Sequence, residues 1–560
     1  MHSKYYCTSI FLSDAKLGAM RTIPLRLWAL AILSAIAQLM PFPLAGPVPL
    51  WRRAFCWFCL TPLLIAVLGQ TKQGMPLRPL QAALLGYLAG FLWYVGNCYW
   101  IYQTMHIYGS IPGPGSLGIL FLFSLYLGLY QAMYAGLLSF FRCKYSTSIA
   151  LIISPFLWVA FELGRARITG FPWDLLGYAQ VDNALLTKLA PIGGVMLLSF
   201  VIGSVGALFA AAWFATRPVS RLGLLAGAIV LMTCLQAGVF YHPRYEDAKH
   251  IAALLQEDLA VGAEGREIAP LSTEQKYQQF TDLSLNPRSS EQQGPSQISW
   301  APVPQPREED LIVWPEAPAD FATSDPVFRA DLSGLARAAA TPVIAGSIGV
   351  DFDPSVERGY HEYGSAAVFD KDGTYLGRYD KIHRVPWGEY VPYKPLFFFA
   401  GNLVSGVGNM EAGKQHTIFH LNGHGVGIFI CYESIFGDEV REFAKDGAEV
   451  FVNISDDGWY GDTSAPWQHL DMARMRAIEN RRWILRDTNT GVTTAIDPEG
   501  RGIFTTPRHL RAAFAFPFDY RRDTTFYTRH GDWFAWICVF LTVLLLGVGL
   551  TRPVTQPPAQ

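Results

Sequence analysis

The sequence predicts two architectures in one chain, an α-helical membrane domain of about eight spans and an α/β domain outside it. Three observations predict this. Of 560 residues, 51% are hydrophobic and only 16% charged, against roughly 25% charged in a typical soluble domain. Up to residue 243, long apolar runs follow one another with short polar loops between them. From 244 to 532, short apolar or β-branched runs alternate with helix-like segments. Charge divides at the same place: residues 1–243 hold 15 Lys+Arg and 4 Asp+Glu, residues 244–560 hold 29 and 42. This excludes a single soluble globule and a disordered chain. A nucleic-acid partner is not expected, because the basic residues lie between apolar runs and form no patch.

The expected spans are 24–44, 54–71, 81–104, 117–141, 147–163, 189–215 and 222–241, with an eighth at 533–550. Each approaches the ~20 apolar residues that a hydrocarbon core requires. The first has no small-residue cleavage site and is followed directly by further spans, so it is not read as a signal peptide. The residues before it are expected to be a loosely tied extension. The domains are therefore 1–243, 244–532 and 533–560. Lys4, Lys16, Arg21, Arg26, Lys72, Arg78, Arg142, Lys144, Arg217 and Arg221 fall on one side, which is then cytoplasmic. Arg52, Arg53, Arg165, Arg167 and Lys188 fall on the other and count against this. Seven spans place 244–532 outside the cytoplasm, and one helix more or fewer reverses that side.

Within 244–532, strands are expected at 250–256, 310–316, 342–350, 365–370, 425–431, 449–455 and 483–488. Helices are expected at 272–283, 325–340, 435–446 and 465–482. Alternation of this kind points to an α/β sheet domain. Residues 286–309, rich in Pro, Ser and Gln, read as a surface insertion. Cys431 alone among the eight cysteines lies in this part, so no internal disulfide is available there. Cys56 and Cys59 form a C-x-x-C inside an apolar run, which is no redox context. His420 and His424 flank Asn422-Gly423, a hairpin-turn pair, and are read as turn residues and not metal ligands.

Three segments carry chemistry. Leu311-Ile312-Val313-Trp314-Pro315-Glu316 is an apolar strand ending at a carboxylate, which points into the crevice where α/β sheets bind ligands. The stretch from Tyr379 to Glu389 mixes charge, aromatic rings and proline around Lys381. Gly425 to Ile430 is an apolar strand running straight into Cys431, Tyr432 and Glu433 and then a helix-like segment, an arrangement like a nucleophile elbow. Backbone N–H groups at a helix start are expected to lower the thiol pKa. Taken singly, each has a plain alternative: a loop acid, an exposed basic turn, a buried inert thiol. Together they supply a thiol nucleophile in Cys431, a proton acceptor in Glu316, and oxyanion donors in Lys381 and the Tyr432 N–H. Spacings of 65 and 50 residues put these groups on separate strand ends of one sheet.

Glu316, Lys381 and Cys431, in this order and these contexts, resemble the Glu–Lys–Cys triad of the nitrilase superfamily. The membrane half narrows the resemblance to the apolipoprotein N-acyltransferase family. Thr169-Gly170-Phe171-Pro172-Trp173 with Gly177-Tyr178 is similar to that family's loop motif between membrane helices, and Lys381 to Pro392 resembles its lysine segment. Cys431-Tyr432-Glu433 and the run from Asp456 to Gly491, including Trp459-Tyr460-Gly461, Gln468-His469 and Met472 to Ala477, resemble its nucleophile and tail segments.

The resemblance implies a nitrilase-like αββα sandwich on the extracytoplasmic side of a bacterial inner-membrane protein. It implies a phospholipid acyl donor, the N-terminal amine of a diacylglyceryl-cysteine lipoprotein as acceptor, a Cys431 thioester, and no cofactor or metal. A monomer is expected. It also implies supporting roles for Glu389 beside the lysine, for Tyr432 and Glu433 beside the nucleophile, and for Trp459 in a loop over the site. Arg476 and Glu479, spaced i,i+3, read as a structural pair. One departure is plain. Gln256-Glu257-Asp258 stands where the family has Gln-Gly-Asn, and no Trp occurs between 244 and 299; Trp300 is not given that role. Val391 to Phe399, with three consecutive Phe, reads either as a lipid-facing loop or as a buried strand. A membrane-tethered amidase or nitrilase with water as acceptor, and a binding protein without catalysis, are the alternatives. Lys381→Met is expected to slow acylation with little loss of folding.

Overall fold

A computed structural model describes residues 23–243, 248–261, 272–289, 310–316, 321–356, 358–386, 388–390 and 410–552. By contact, the chain divides into two compact units, residues 1–101, 117–242 and 532–560 in one, 102–116 and 243–531 in the other.

The first unit is helical. Among the described residues, seven helices are long and apolar enough to cross a membrane: Leu50–Val67, Pro79–Asn97, Gly113–Lys144, Thr147–Thr169, Leu186–Phe214, Pro218–Phe240 and Trp533–Thr551. The first expected span forms the helix Leu25–Leu39, whose 15 residues rise only about 22 Å. Pro41 and Pro43 prevent its continuation. The loop motif after Thr169 folds back among the helices. Gly170 takes φ 66° to end the preceding helix, and Phe171 stacks on the buried Trp173 at 5.9 Å. Arg165 donates to the Trp173 carbonyl at 2.8 Å. Gly177 is obligatory, because a Cβ there would lie 2.2 Å from the Val195 carbonyl oxygen.

The second unit is a four-layer αββα sandwich. One sheet has seven strands in the order β2-β12-β1-β3-β4-β5-β6. These are β1 (His250–Gln256), β2 (Arg288–Ser289), β3 (Leu311–Trp314), β4 (Val343–Phe352), β5 (Tyr360–Phe369), β6 (Tyr375–Asp380) and β12 (Ala512–Phe518). The other has five, in the order β11-β10-β9-β8-β7: β7 (Ile418–Leu421), β8 (His424–Ile430), β9 (Val450–Ser455), β10 (Ile484–Thr488) and β11 (Thr494–Ile496). Leu254, Val313, Ile344 and Val368 from the first sheet share one core with Val426, Ile428, Val452 and Ile454 from the second. The outer face of the first sheet is covered by α1 (Thr273–Leu285) and α2 (Pro326–Ala339), through Phe280, Phe328 and Leu332. The second sheet is covered by α3 (Gly437–Lys445) and α4 (Ala465–Asn480), through Phe443, Ala473 and Ala477. Strands buried on both faces read as continuous apolar runs, which is why β8 and β9 are so legible.

Strand direction gathers the site. β1, β3 and β4 run parallel. β5 is antiparallel to β4 and β6 to β5, so β6 runs the same way as β3. The ends of β3 and β6 therefore emerge on one side, carrying Glu316 and Lys381. β8, β9 and β10 run parallel in the facing sheet, and β8 delivers Cys431. Glu316, Lys381 and Cys431 thus draw on two sheets, not on the strand ends of one. Alternating strands and helices do not distinguish a single sheet from two stacked ones, and sandwiching brings their ends together. Asn422 and Gly423 both have positive φ, 51° and 82°, the geometry of a tight hairpin turn between β7 and β8.

Candidate active site

Lys381 follows β6, with its backbone N–H donating to the Gly364 carbonyl at 2.9 Å. Its side chain is 1% exposed, and Nζ sits between two carboxylates, 2.9 Å from Glu316 Oε1 and 2.6 Å from Glu389 Oε1. Burial opposes the ammonium charge, but Glu316 and Glu389 outweigh it and hold the lysine well above its usual range. The second oxygens are also anchored. Glu316 Oε2 accepts the Asp456 N–H at 2.9 Å, and Glu389 Oε2 accepts the Val385 N–H at 2.9 Å. Asp456 begins the loop after β9, and its own carboxyl is pushed up to about 8 by burial and by the charge of Glu316.

Cys431 ends β8 in a left-handed conformation, φ 50°, and is 6% exposed. Burial drives its thiol well above the ordinary range; the Glu316 charge adds to this and Lys381 opposes it. The expected lowering by a helix start is therefore overturned. The thiol is followed by a five-residue 3-10 turn, Cys431–Ile435, and not directly by an α-helix. Such a turn aligns few peptide dipoles, and desolvation of the thiolate prevails. A thiol held in this way needs a nearby proton acceptor if it is to act as a nucleophile.

Glu433 is fully buried and ties the lysine loop to the end of β8. Its Oε1 accepts the Tyr379 hydroxyl at 2.9 Å and the N–H groups of Ile382 and His383 at 2.6 and 3.1 Å. Its Oε2 accepts the Ile430 N–H at 2.6 Å. Burial raises the carboxyl to about 7, with the Ile430 N–H and the Lys381 charge pulling it back. All four partners donate, so Glu433→Gln sets an amide N–H against another donor. This substitution is expected to cost about 1–3 kcal/mol and to slow acylation of Cys431. Thermal unfolding and intact mass after lipid exposure measure the two effects.

The Tyr432 ring is buried against Phe436 at 5.3 Å. Trp459 lies in the 3-10 turn Asp457–Tyr460, is 41% exposed, and meets Tyr108 edge-on at 6.4 Å. Arg476 and Glu479 form the expected pair on α4, buried and 3.0 Å apart. Glu257, where the family has Gly, is fully buried and raised by burial to about 7, with Arg511 3.5 Å away. Trp387, Trp300, residues 290–309 of the insertion and the Val391–Phe399 segment lie outside the described residues. Sequence reasoning assigned no role to a fully buried group behind the thiol, formed by His469, Asp457 and Arg486. Its signal was three ionisable residues inside apolar strand and helix patterns. Among the described residues, no cluster of His, Cys, Asp or Glu is arranged to hold a metal ion.

Residues 34–208 match the family model of the apolipoprotein N-acyltransferase N-terminal domain, and residues 298–509 match that of carbon-nitrogen hydrolases. The apolipoprotein N-acyltransferase of Geobacter metallireducens is 35% identical over 540 residues, covering 95% of this chain and 96% of its own length. That of Methylococcus capsulatus is 31% identical over 487 residues, covering 86% and 89%. Among solved structures, Nit3 of Saccharomyces cerevisiae, a member of the nitrilase superfamily, aligns with 50% of this chain and 93% of its own at 15% identity and a TM-score of 0.34.

Proposed function

We propose that this chain, which belongs to the apolipoprotein N-acyltransferase family, moves a fatty acyl group from a phospholipid to the N-terminal amine of a diacylglyceryl-cysteine lipoprotein through a Cys431 thioester. The observation that carries this is the Lys381 ammonium held between Glu316 and Glu389 within electrostatic reach of the Cys431 thiol. In the first half, the sulfur attacks the ester carbonyl carbon and its proton passes to Glu316. Lys381 compensates the negative charge that develops on the carbonyl oxygen. The ester C–O bond then breaks, and the leaving alkoxide takes the proton from Glu316 as lysophospholipid departs. In the second half, the lipoprotein amine attacks the thioester carbon and gives up a proton to Glu316. The C–S bond breaks, the leaving thiolate takes that proton back from Glu316, and the thiol is restored, a ping-pong sequence. Glu389 holds the lysine in place, Glu433 fixes the loop and strand that carry the two reacting groups, and Tyr432 and Trp459 flank the substrate path.

The chain is a multi-pass membrane protein, which fits two substrates whose acyl chains stay in a bilayer, at ~0.8 kcal/mol per buried CH₂. The reading places the catalytic unit on the periplasmic face of the inner membrane. It rests on the sequence, in which Lys72, Arg78, Arg142, Lys144, Arg217 and Arg221 fall in the loops that the order of spans assigns to the cytoplasm.

The test is label transfer. The full chain in detergent, given acyl-labelled phospholipid and a diacylglyceryl lipopeptide with a free amine, is expected to release lysophospholipid and to label the peptide. Label recovered only as free fatty acid, with peptide present, would mean that water is the acceptor.

A further inference from the structure

The acyl-transfer steps make no use of the polar group behind the thiol. His469, on α4, directs Nε2 at the carbonyl oxygen of Cys431, 3.0 Å away, with Ser434 Oγ at 2.7 Å. Its Nδ1 lies 2.9 Å from Asp457 Oδ1 and 3.1 Å from Arg486 Nη2. Asp457 is held in turn by the Ser455 hydroxyl at 2.8 Å and by Arg486 Nη2 at 2.7 Å, and Arg486 also donates to Asn453 Oδ1. The side chains of His469, Asp457 and Arg486 are all fully buried. Burying a carboxylate and a guanidinium beside an imidazole is costly unless every group is held. Here the assembly ends on the one peptide that follows the nucleophile.

The protonation pattern follows from what each partner can do. The Cys431 carbonyl only accepts, so a bond to it needs the hydrogen on Nε2. Nδ1 faces two partners of opposite kind, the Arg486 guanidinium, which only donates, and the Asp457 carboxylate, which only accepts. With the hydrogen on Nε2 the neutral ring serves the Cys431 carbonyl and Arg486, while Asp457 Oδ1 is held by the Ser455 hydroxyl, and burial, then the Arg486 charge, oppose a second proton. The peptide between Cys431 and Tyr432 is planar, so its C=O and N–H point in opposite directions. Fixing the carbonyl on the His469 side therefore fixes the direction of the Tyr432 N–H on the other. It also holds Cys431 at φ 50°, a conformation that costs a non-glycine residue roughly 1–2 kcal/mol.

We propose that His469 is a positioning residue for the nucleophile. Through Nε2 it clamps the Cys431 carbonyl, and Arg486, itself held by Asp457, sits at Nδ1 and orients the ring. This rests on Cys431 being the nucleophile. The experiment compares His469→Gln, whose amide nitrogen reaches the place of Nε2 and can donate, with His469→Asn, whose amide reaches only the place of Nδ1. Both are measured in the full chain for the maximal rate of Cys431 thioester formation from labelled phospholipid, the half-saturating lipid concentration, and the melting temperature. His469→Asn is expected to lose about 100-fold in maximal rate, as for loss of one preorganised donor, with half-saturation changed by less than about threefold. His469→Gln is expected to recover at least about tenfold of that loss at a similar melting temperature. Equal rates for the two variants, or a loss confined to half-saturation or to melting temperature, would overturn the clamp while the triad stands. Thioester formation in Cys431→Ala would overturn the nucleophile assignment and the clamp together.

Discussion

Cys431→Ala is expected to abolish acylation of the protein by phospholipid and to reduce transfer to the lipopeptide by at least about 1,000-fold. Cys431 is the only thiol between residues 244 and 532. In the proposed mechanism Glu316 accepts its proton, and that matters because burial pushes the thiol well above its ordinary range. A thiolate formed only as bonds change gives a nucleophile that stays unreactive until an ester is in place. Cys431→Ser tests the same point more finely. A hydroxyl is a far weaker acid than a thiol, so the same base deprotonates it less well, and a slow residual transfer is expected. Neither variant should unfold the chain. Alanine keeps the Cβ, and the sulfur contributes one buried atom, on the order of 1 kcal/mol. Intact mass after lipid exposure reads the adduct and thermal unfolding reads the fold. An adduct of full occupancy on Cys431→Ala would move the chemistry to another residue.

How far the chain is legible follows from where its residues are constrained on both sides. β1 falls on the residues expected, 250–256, because a run of apolar residues bounded by charge can only be a buried strand there. β8 and β9 are legible for the same reason. The strands that escape are marginal ones. β7 has four residues and lies at a sheet edge. β6 contains Gly377 and Arg378 and is also an edge. β12 is alanine-rich and carries Pro517, which argues against an interior strand, yet it pairs along the whole of β1. α4 stops at Asn480 because Arg481 takes φ 50°, and an arginine gives no stop signal. The αββα layering followed from the resemblance and not from the pattern, since nothing in an alternation of strands and helices says how many sheets result. At the site, the order Glu316, Lys381, Cys431 was legible as chemistry on strand ends. The fall of the thiol pKa was misjudged because burial is a property of the packed sandwich, not of the local turn. Glu433 was legible only through the resemblance, because its four donors come from segments up to 54 residues away. His469 was visible only as part of a motif, because its partners lie on β8, β10 and the loop after β9.

Lys381→Met is expected to slow thioester formation by about 100- to 1,000-fold, the range for losing an oxyanion-stabilising group. The sequence alone suggests that folding is little affected, since methionine matches the lysine stem in length. The geometry revises this. Removing the ammonium leaves the Glu316 and Glu389 carboxylates facing one another, each bound until then to Nζ. Deleting one partner of a fully buried ion pair costs about 3–5 kcal/mol. Here the carboxylates retain 14% and 16% exposure, so water relieves part of the repulsion and a cost of about 1–3 kcal/mol is expected. The double variant Lys381→Met/Glu389→Gln separates the two consequences. Removing the second carboxylate takes away the repulsion, so the melting temperature is expected to rise above that of Lys381→Met. The acylation rate is not expected to recover, because no cation faces the developing oxyanion. Recovery of rate together with stability would mean that Lys381 serves only to hold two acids apart, and its place in the chemistry would be lost.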